Sequence, residues 1–269
     1  ERAMPRRDLV LVRGGNDIAS AVAHRLFTAG YPVVIQEAPQ PATVRRAMAY
    51  ASAVYQGRIT LHGVTAEHAP TLARALALLG GRSAIPVVTD PAIPGALRPQ
   101  AIVDGRYRKQ ERSHSRVRDA PLVIGLGPGF RAGVEAHLVV ETNRGPHLGR
   151  LIAEGEAEPY TGEPLAIQGQ GRERLQYAPR AGIFRTSRDI GSRVRAGEVV
   201  GEVSGAPVLA TIDGIIRGLV KDGLPVPAGA KLLDIDPRGD PALLCRFSDK
   251  AWTIAEAVLH ALERHTPRP

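Results

Sequence analysis

Residues 9–37 read LVLVRGGNDIASAVAHRLFTAGYPVVIQE, a run that parses as strand, glycine turn, helix and strand. Residues 9–12 are apolar without alternation, the pattern of a strand covered on both faces. Gly14 and Gly15 supply a tight turn, and Asp17 stands where a helix begins and a carboxylate meets the positive end of the helix dipole. Ala21, Val22, Leu26 and Phe27 form an apolar stripe, and Gly30 stops the helix. Residues 31–35 are a second apolar strand, with Glu37 just beyond it. This is the opening βαβ unit of a Rossmann-like, doubly wound, mostly parallel α/β sheet.

The turn reads two ways. Set against G-x-G-x-x-G/A, its residues are Gly14, Gly15, Asn16, Asp17, Ile18 and Ala19. The first and last positions fit a dinucleotide site, and Glu37 stands about where a ribose-binding carboxylate is expected. The middle position, where glycine lets a pyrophosphate approach, is Asn16. The other reading is a Rossmann-like turn that holds no nucleotide.

Further along, residues 44–54 and 66–79 read as helices, and residues 58–61, 85–89 and 101–103 as strands. Asp90 and Asp104 stand at strand ends, as ligand groups or as turn residues. Residues 106–118, RYRKQERSHSRVR, have no apolar period and read as a basic surface loop able to hold an anion. PLVIGLGPGF (121–130) is a second glycine turn whose Gly125, Gly127 and Gly129 expose backbone N–H groups. The strand at 138–140 runs into Glu141-Thr142-Asn143-Arg144-Gly145.

Composition shifts near Glu154, and from Tyr177 short strands and glycine turns repeat about thirty residues apart. The two halves resemble a biotinyl/lipoyl-type barrel-sandwich (hammerhead). The hairpin that carries the modified lysine in such carriers is Ser204-Gly205-Ala206 here, so no biotin or lipoyl attachment is expected. Residues 251–262 form an amphipathic helix, expected to pack back on the first domain, with Ser248 as its cap. The expected domains are 1–165 (α/β), 166–240 (β) and 241–269 (terminal helix).

The net charge of +8 is the balance of 35 Lys and Arg against 27 Asp and Glu, and only Lys109, Lys221, Lys231 and Lys250 are lysines. Aromatic residues are 4%, too few for a base-stacking platform, so no nucleic-acid partner is expected. No apolar run approaches the roughly 20 residues needed to cross a membrane. With no leader pattern before the first strand, a cytoplasmic protein without a membrane partner is expected. Cys245 is the single cysteine, and no His, Cys and carboxylate spacing suggests a metal. His24 reads as a core or capping histidine.

VRGGNDIASAVAHRL, PLVIGLGPGF, ETNRGPHLGR, AEPYTG, the hammerhead repeat, DPRG and SDKA, in this order, resemble the selenium-dependent molybdenum hydroxylase system protein family (YqeB-type). The resemblance implies an accessory factor in maturation of xanthine dehydrogenase-type molybdenum hydroxylases. Its partner would be the hydroxylase or another maturation factor, with a homo-oligomer also open. Its ligand would be molybdopterin or the cytosine dinucleotide of molybdopterin, or a selenium or sulfur donor. The resemblance assigns no catalytic residue; Cys245 reads on its own either as a packed cysteine or as a nucleophile that relays sulfur or selenium. Two alternatives stand beside it: an NAD(P)-dependent oxidoreductase and a non-catalytic docking scaffold. The expected site has Arg13, Gly14, Gly15, Asn16, Asp17 and Glu37 as one wall. Gly125, Gly127, Gly129, Asn143, Arg144, Asp236 and Arg238 form the others.

Overall fold

The computed structural model describes residues 8–106 and 112–265. They divide into two compact units. The first takes the chain up to Pro39, Tyr50–Thr161 and the segment from Phe247; the second takes Gln40–Ala49 and Gly162–Arg246.

The first unit is built on one nine-stranded sheet. In chain order its elements are β1 (Val10–Arg13), α1 (Asp17–Thr28), β2 (Val33–Gln36), α2 (Ala53–Gln56), β3 (Arg58–Leu61), β4 (Val64–His68), α3 (Leu72–Gly81), β5 (Ile85–Val88), α4 (Ala92–Leu97), β6 (Ala101–Asp104), β7 (Leu122–Leu126), β8 (Leu138–Val140) and β9 (Leu151–Ile152). The strand order is β3-β4-β5-β2-β1-β6-β7-β8-β9. Neighbours pair in parallel except at the edges, where β3 lies antiparallel to β4 and β9 to β8. The expectation of a doubly wound Rossmann fold is therefore corrected to a mixed sheet. The reason lies in the connections. β3 and β4 are joined by two residues, His62 and Gly63, both at positive φ, a hairpin turn too short for any crossover, and the connection from β8 to β9 holds no helix.

The sheet is buried because its central strands are apolar on both faces; β6 and β7 are buried throughout. Leu11, Val34, Val88, Ile102, Val123 and Val139 share one core cluster with Ala75, Leu78 and Ile93 of α3 and α4 and with Phe130. α1 packs on β1 and β2 and, along its length, on the terminal helix α5 (Asp249–His265). The tight packing of α1 follows from its alanines, Ala19, Ala21 and Ala23, which are fully buried. Gly30, at φ +95°, ends the helix, and Tyr31 N–H returns to Leu26 O at 3.0 Å.

Two expected helices are also corrected. Residues 44–54 hold two 3-10 turns, Arg46–Met48 and Tyr50–Ser52, before the single turn of α2. The helix expected over residues 66–79 is shortened at its start: Ala66, Glu67 and His68 belong to β4, which lies between β3 and β5, and α3 begins only after the Thr71 cap. In both cases sheet pairing and tertiary hydrogen bonds override an alanine-rich, helix-favouring composition.

The second unit holds β10 (Leu175–Tyr177), β11 (Gly182–Arg185), β12 (Arg193–Val194), β13 (Val199–Val203), β14 (Ala206–Leu209), β15 (Gly214–Leu219), β16 (Pro225–Val226) and β17 (Lys231–Asp236). They form two four-stranded antiparallel sheets, β10-β17-β15-β12 and β14-β13-β11-β16. The barrel-sandwich expectation is corrected to this pair of sheets. The repeat is written in backbone geometry: Gly182 and Gly214 have φ +158° and +159°, Gly191 and Gly223 +97° and +83°. Each half lends its short strand to the other, β12 pairing with β15 and β16 with β11. The Ser204-Gly205 hairpin turn has both φ values positive, the two-residue geometry that suits the twist of its strands.

At the start of α5 four rings pack together in the first unit: His24, His62, Phe247 and Trp252, with centroids 4.9–5.9 Å apart. Phe247 N–H donates to His62 Nε2 at 3.4 Å, and His24 Nε2 lies 3.2 Å from His62 O. Burial lowers the His24 pKa from its ordinary value; the His62 carbonyl opposes the shift, while His62 and Arg25 add to it. Because the folded-state pKa is depressed, the neutral ring stabilises the fold above about pH 6.5, and that contribution is lost as pH falls below it. Urea unfolding at pH 7.5 and pH 5 should show a loss of stability that is smaller in His24→Gln; equal losses would exclude His24 as the source.

Candidate functional site

In the strand order β5-β2-β1-β6-β7, the chain moves outward from β1 in one direction and resumes at β6 in the other. The carboxyl ends of β1 and β6 thus frame the topological switch point, where open α/β sheets bind ligands. Arg13 and Asp104 are register partners there.

Asp104 is 1% exposed. Its Oδ1 accepts from the Arg106 backbone N–H (3.2 Å) and Nε (3.0 Å); its Oδ2 accepts from Arg106 Nη2 (2.6 Å), Ser115 Oγ (2.7 Å) and Ser113 Oγ (2.9 Å). Burial alone would raise its pKa, but Arg106 and the Ser115 hydroxyl outweigh burial and hold it below the usual aspartate value. Arg13 Nη1 in turn donates to Ser115 Oγ at 2.6 Å and to Asp119 Oδ2 at 3.0 Å. Asp104 thereby orients the Arg106 guanidinium directly, while Arg13 is held by Asp119 and by Ser115, the serine it shares with Asp104.

The glycine turn beside them is closed by the protein itself. Asn16 Oδ1 accepts from Ile18 N (3.1 Å) and Ala19 N (3.0 Å), and its Nδ2 donates to Gly105 O at 2.6 Å. Gly15 N donates to Glu37 Oε2 at 2.6 Å, and Ala38 N donates to Glu37 Oε1 at 2.7 Å. Burial raises the Glu37 pKa against these two amides and the Arg106 charge. A Cβ on Gly15 would lie 2.8 Å from Ala51 N, so the backbone that approaches this glycine is the chain's own. The amides and the carboxylate that a dinucleotide needs are already used. The NAD(P) alternative is corrected for this reason. Asp17 occupies the first turn of α1.

The second glycine turn tells the same story. A Cβ on Gly125 would fall inside the Phe130 ring, and one on Gly127 would strike Thr142 Oγ1. Gly129, at φ +97°, accepts at its carbonyl from Ser113 N at 2.9 Å. Gly125 and Gly127 serve side-chain packing. Glu141, 2% exposed, accepts from Thr142 N, Asn143 N and Glu158 N at 2.7 Å each, and Asn143 Nδ2 donates to Pro159 O at 2.8 Å. Arg144 is exposed.

Asp236 and Arg238 belong to the second unit and pair with each other there, Nη2 to Oδ2 at 2.6 Å. Cys245, also in that unit, is exposed. Asp90 is a turn residue, its Oδ1 accepting from Ala92 N at 2.8 Å. Of the basic loop, residues 107–111 lie outside the described residues. Arg106, Ser113 and Ser115 were hidden in a stretch without apolar period; the alternating serines of Ser113-His114-Ser115 were the one available signal. No group of metal-ligating side chains occurs among the described residues.

No protein-family model matches the chain. A curated relative from Escherichia coli strain K12, described as the uncharacterized protein YqeB, is 43% identical over 256 residues. That match covers 94% of this chain but 47% of the relative, so the chain spans about half the length of the curated relative it matches. Among solved structures, a succinylglutamate desuccinylase/aspartoacylase from Rhodobacter sphaeroides matches at 27% identity over 27% of this chain and 24% of that one, with TM-score 0.23. An aspartoacylase family protein from Mesorhizobium loti matches at 11% identity, 85% and 84% coverage and TM-score 0.27. An ectoine utilization protein from Ruegeria pomeroyi matches at 10% identity, 85% coverage of both chains and TM-score 0.26.

The expected molybdenum hydroxylase resemblance is corrected by these findings. The curated relative is described without any function, and the solved structures found are named for desuccinylase, aspartoacylase and ectoine utilization. Maturation of a molybdenum hydroxylase, molybdopterin binding, selenium transfer and a molybdoenzyme docking role have no support among them.

Asn16 joins the cap of α1 to the end of β6, so Asn16→Ala should destabilise the protein by about 1–2 kcal/mol. Asn16→Asp keeps the cap but sets a carboxylate oxygen against Gly105 O. If urea denaturation finds Asn16→Asp as stable as the original, the tie to Gly105 contributes nothing.

Proposed function

We propose that this chain is a binding module for a small anionic molecule, a carboxylate or a phosphate ester, seated over the carboxyl ends of β1 and β6. One observation carries the reading: Arg13 and Arg106 flank the switch point and are oriented by the buried Asp104 and its serines. Among the described residues Arg13 uses only Nη1, and Arg106 uses Nε and Nη2. A guanidinium carries five N–H donors, so donor capacity toward an anion remains on both. Asp104 accepts from every neighbour it meets and acts as a positioning residue. The reading includes a cytoplasmic location, consistent with the lack of any helix among the described residues long and apolar enough to cross a membrane.

Calorimetric titration of the full chain with inorganic phosphate, succinate and citrate tests it. At least one anion should bind. Its affinity should fall at least about tenfold in Arg13→Gln, the scale of one charge-assisted hydrogen bond. Binding that is unchanged in Arg13→Gln, or absent for all three anions, would overturn the reading.

A further inference from the structure

Arg217 stands on β15 at a break in register: Ile216 pairs with Ile235 and Gly218 with Asp234, so Arg217 is the extra residue of a β-bulge. Bulges turn a side chain out of the regular alternation and concentrate beside functional sites. Here the bulge gathers charge inside the second unit. Arg174 and Asp234 are paired at 2.7 Å with side chains only 5% and 7% exposed. Lys231 Nζ lies 2.9 Å from Asp234 Oδ2, and Arg238 holds Asp236 through both carboxylate oxygens. Both acidic groups therefore already have partners.

Arg217 is added to this arrangement without a carboxylate of its own. Its ion-pair distance to Asp236 Oδ2 is 3.8 Å from Nη1, beyond hydrogen-bond distance. Its Nε is buried with no hydrogen-bond partner among the described residues, and so is the Nε of Arg174. Five cations (Arg45, Arg174, Arg217, Lys231 and Arg238) surround Asp234 and Asp236, with Asp240 as a third carboxylate that acts on Arg238. Burial first, and then the charge of Arg45, bring the Arg217 pKa down to about 10. Segment 40–49 crosses the same strand: Leu219 N donates to Val44 O at 2.8 Å, and Arg46 Nε donates to Leu219 O at 2.7 Å. Gly218 permits this crossing, since a Cβ there would lie 2.9 Å from Val44 Cγ1.

A buried donor without an acceptor in a surplus of positive charge is costly, and a bound anion removes both costs. We infer that the Arg217 bulge of the second unit is a binding site for a compact oxyanion, a phosphate or a carboxylate, distinct from the Arg13–Arg106 edge. Arg217 supplies the unpaired guanidinium donors and Arg45 part of the positive field. The side chain of Arg217 keeps 14% of its surface exposed, which leaves a path for a small ion.

The test uses the full chain in an Arg13→Gln background, so that failure at the first edge is read separately. Titration with inorganic phosphate, and in a second arm with acetate, is followed by calorimetry and by the Nε–Hε NMR resonance of Arg217. The expected result is saturable binding of one of the two anions, a shift of that resonance, and at least about tenfold weaker affinity in Arg217→Gln. Arg217→Lys keeps the charge and loses the Nε donor; it serves if the glutamine variant fails to fold, with the same weakening expected. A phosphate response identifies the phosphate source and an acetate response the carboxylate. Absence of both, or affinity that is unchanged in either variant, overturns the proposal.

Discussion

A carboxylate buried at a sheet edge has to be satisfied on both oxygens, and Asp104 is the group on which the arrangement of the first unit's carboxyl edge depends. Its demand for donors draws Arg106 back over the strand end and brings Ser113 and Ser115 inward from an otherwise solvent-facing run. Ser115 then presents its oxygen to Arg13 on the neighbouring strand. The distances of 2.6–3.2 Å make this a closed set of charge-assisted hydrogen bonds. Without the cation and the hydroxyls the buried charge would be prohibitive. With them it becomes a rigid support for two guanidinium groups.

The same accounting explains why the glycine turn after β1 is not a phosphate cradle. A helix N-terminus attracts anions because its first amides lack partners. In this chain Asn16 takes the first amides of α1, Glu37 takes the Gly15 amide of the turn before it, and Gly15 makes room for Ala51. The turn is part of the scaffold. The GLGPGF turn followed the same course, its glycines vacating space for Phe130 and Thr142.

The second unit shows what happens when the accounting does not close. The Asp-x-Arg turn that ends β6, Asp104-Gly105-Arg106, has a counterpart at the end of β17, Asp236-Pro237-Arg238, with the same two-oxygen pairing. Around the second turn, however, cations outnumber anions and Arg217 keeps an unmatched donor. The internal repeat accounts for the strands and the glycine conformations. It does not account for this charge, which sits where the second half departs from regular register.

The opening strand-turn-helix-strand was legible in the sequence because it rests on local physics: apolar runs, a helix cap and a glycine stop act over a few residues. The thirty-residue β repeat was legible for the same reason, since positive φ values select glycine one position at a time. Three things were not legible: the mixed sheet, the strand at Val64–His68 and the use of each polar group. Those depend on which distant backbone a residue meets. Asn16 looks like a defect in a nucleotide motif until Gly105 stands opposite its amide. Ser113 and Ser115 look like solvated loop until Asp104 needs donors. Local sequence determined where the chain turns and which faces are apolar. Only tertiary structure decided which donors were used internally and which were left for a ligand, because desolvation acts on groups brought together in space.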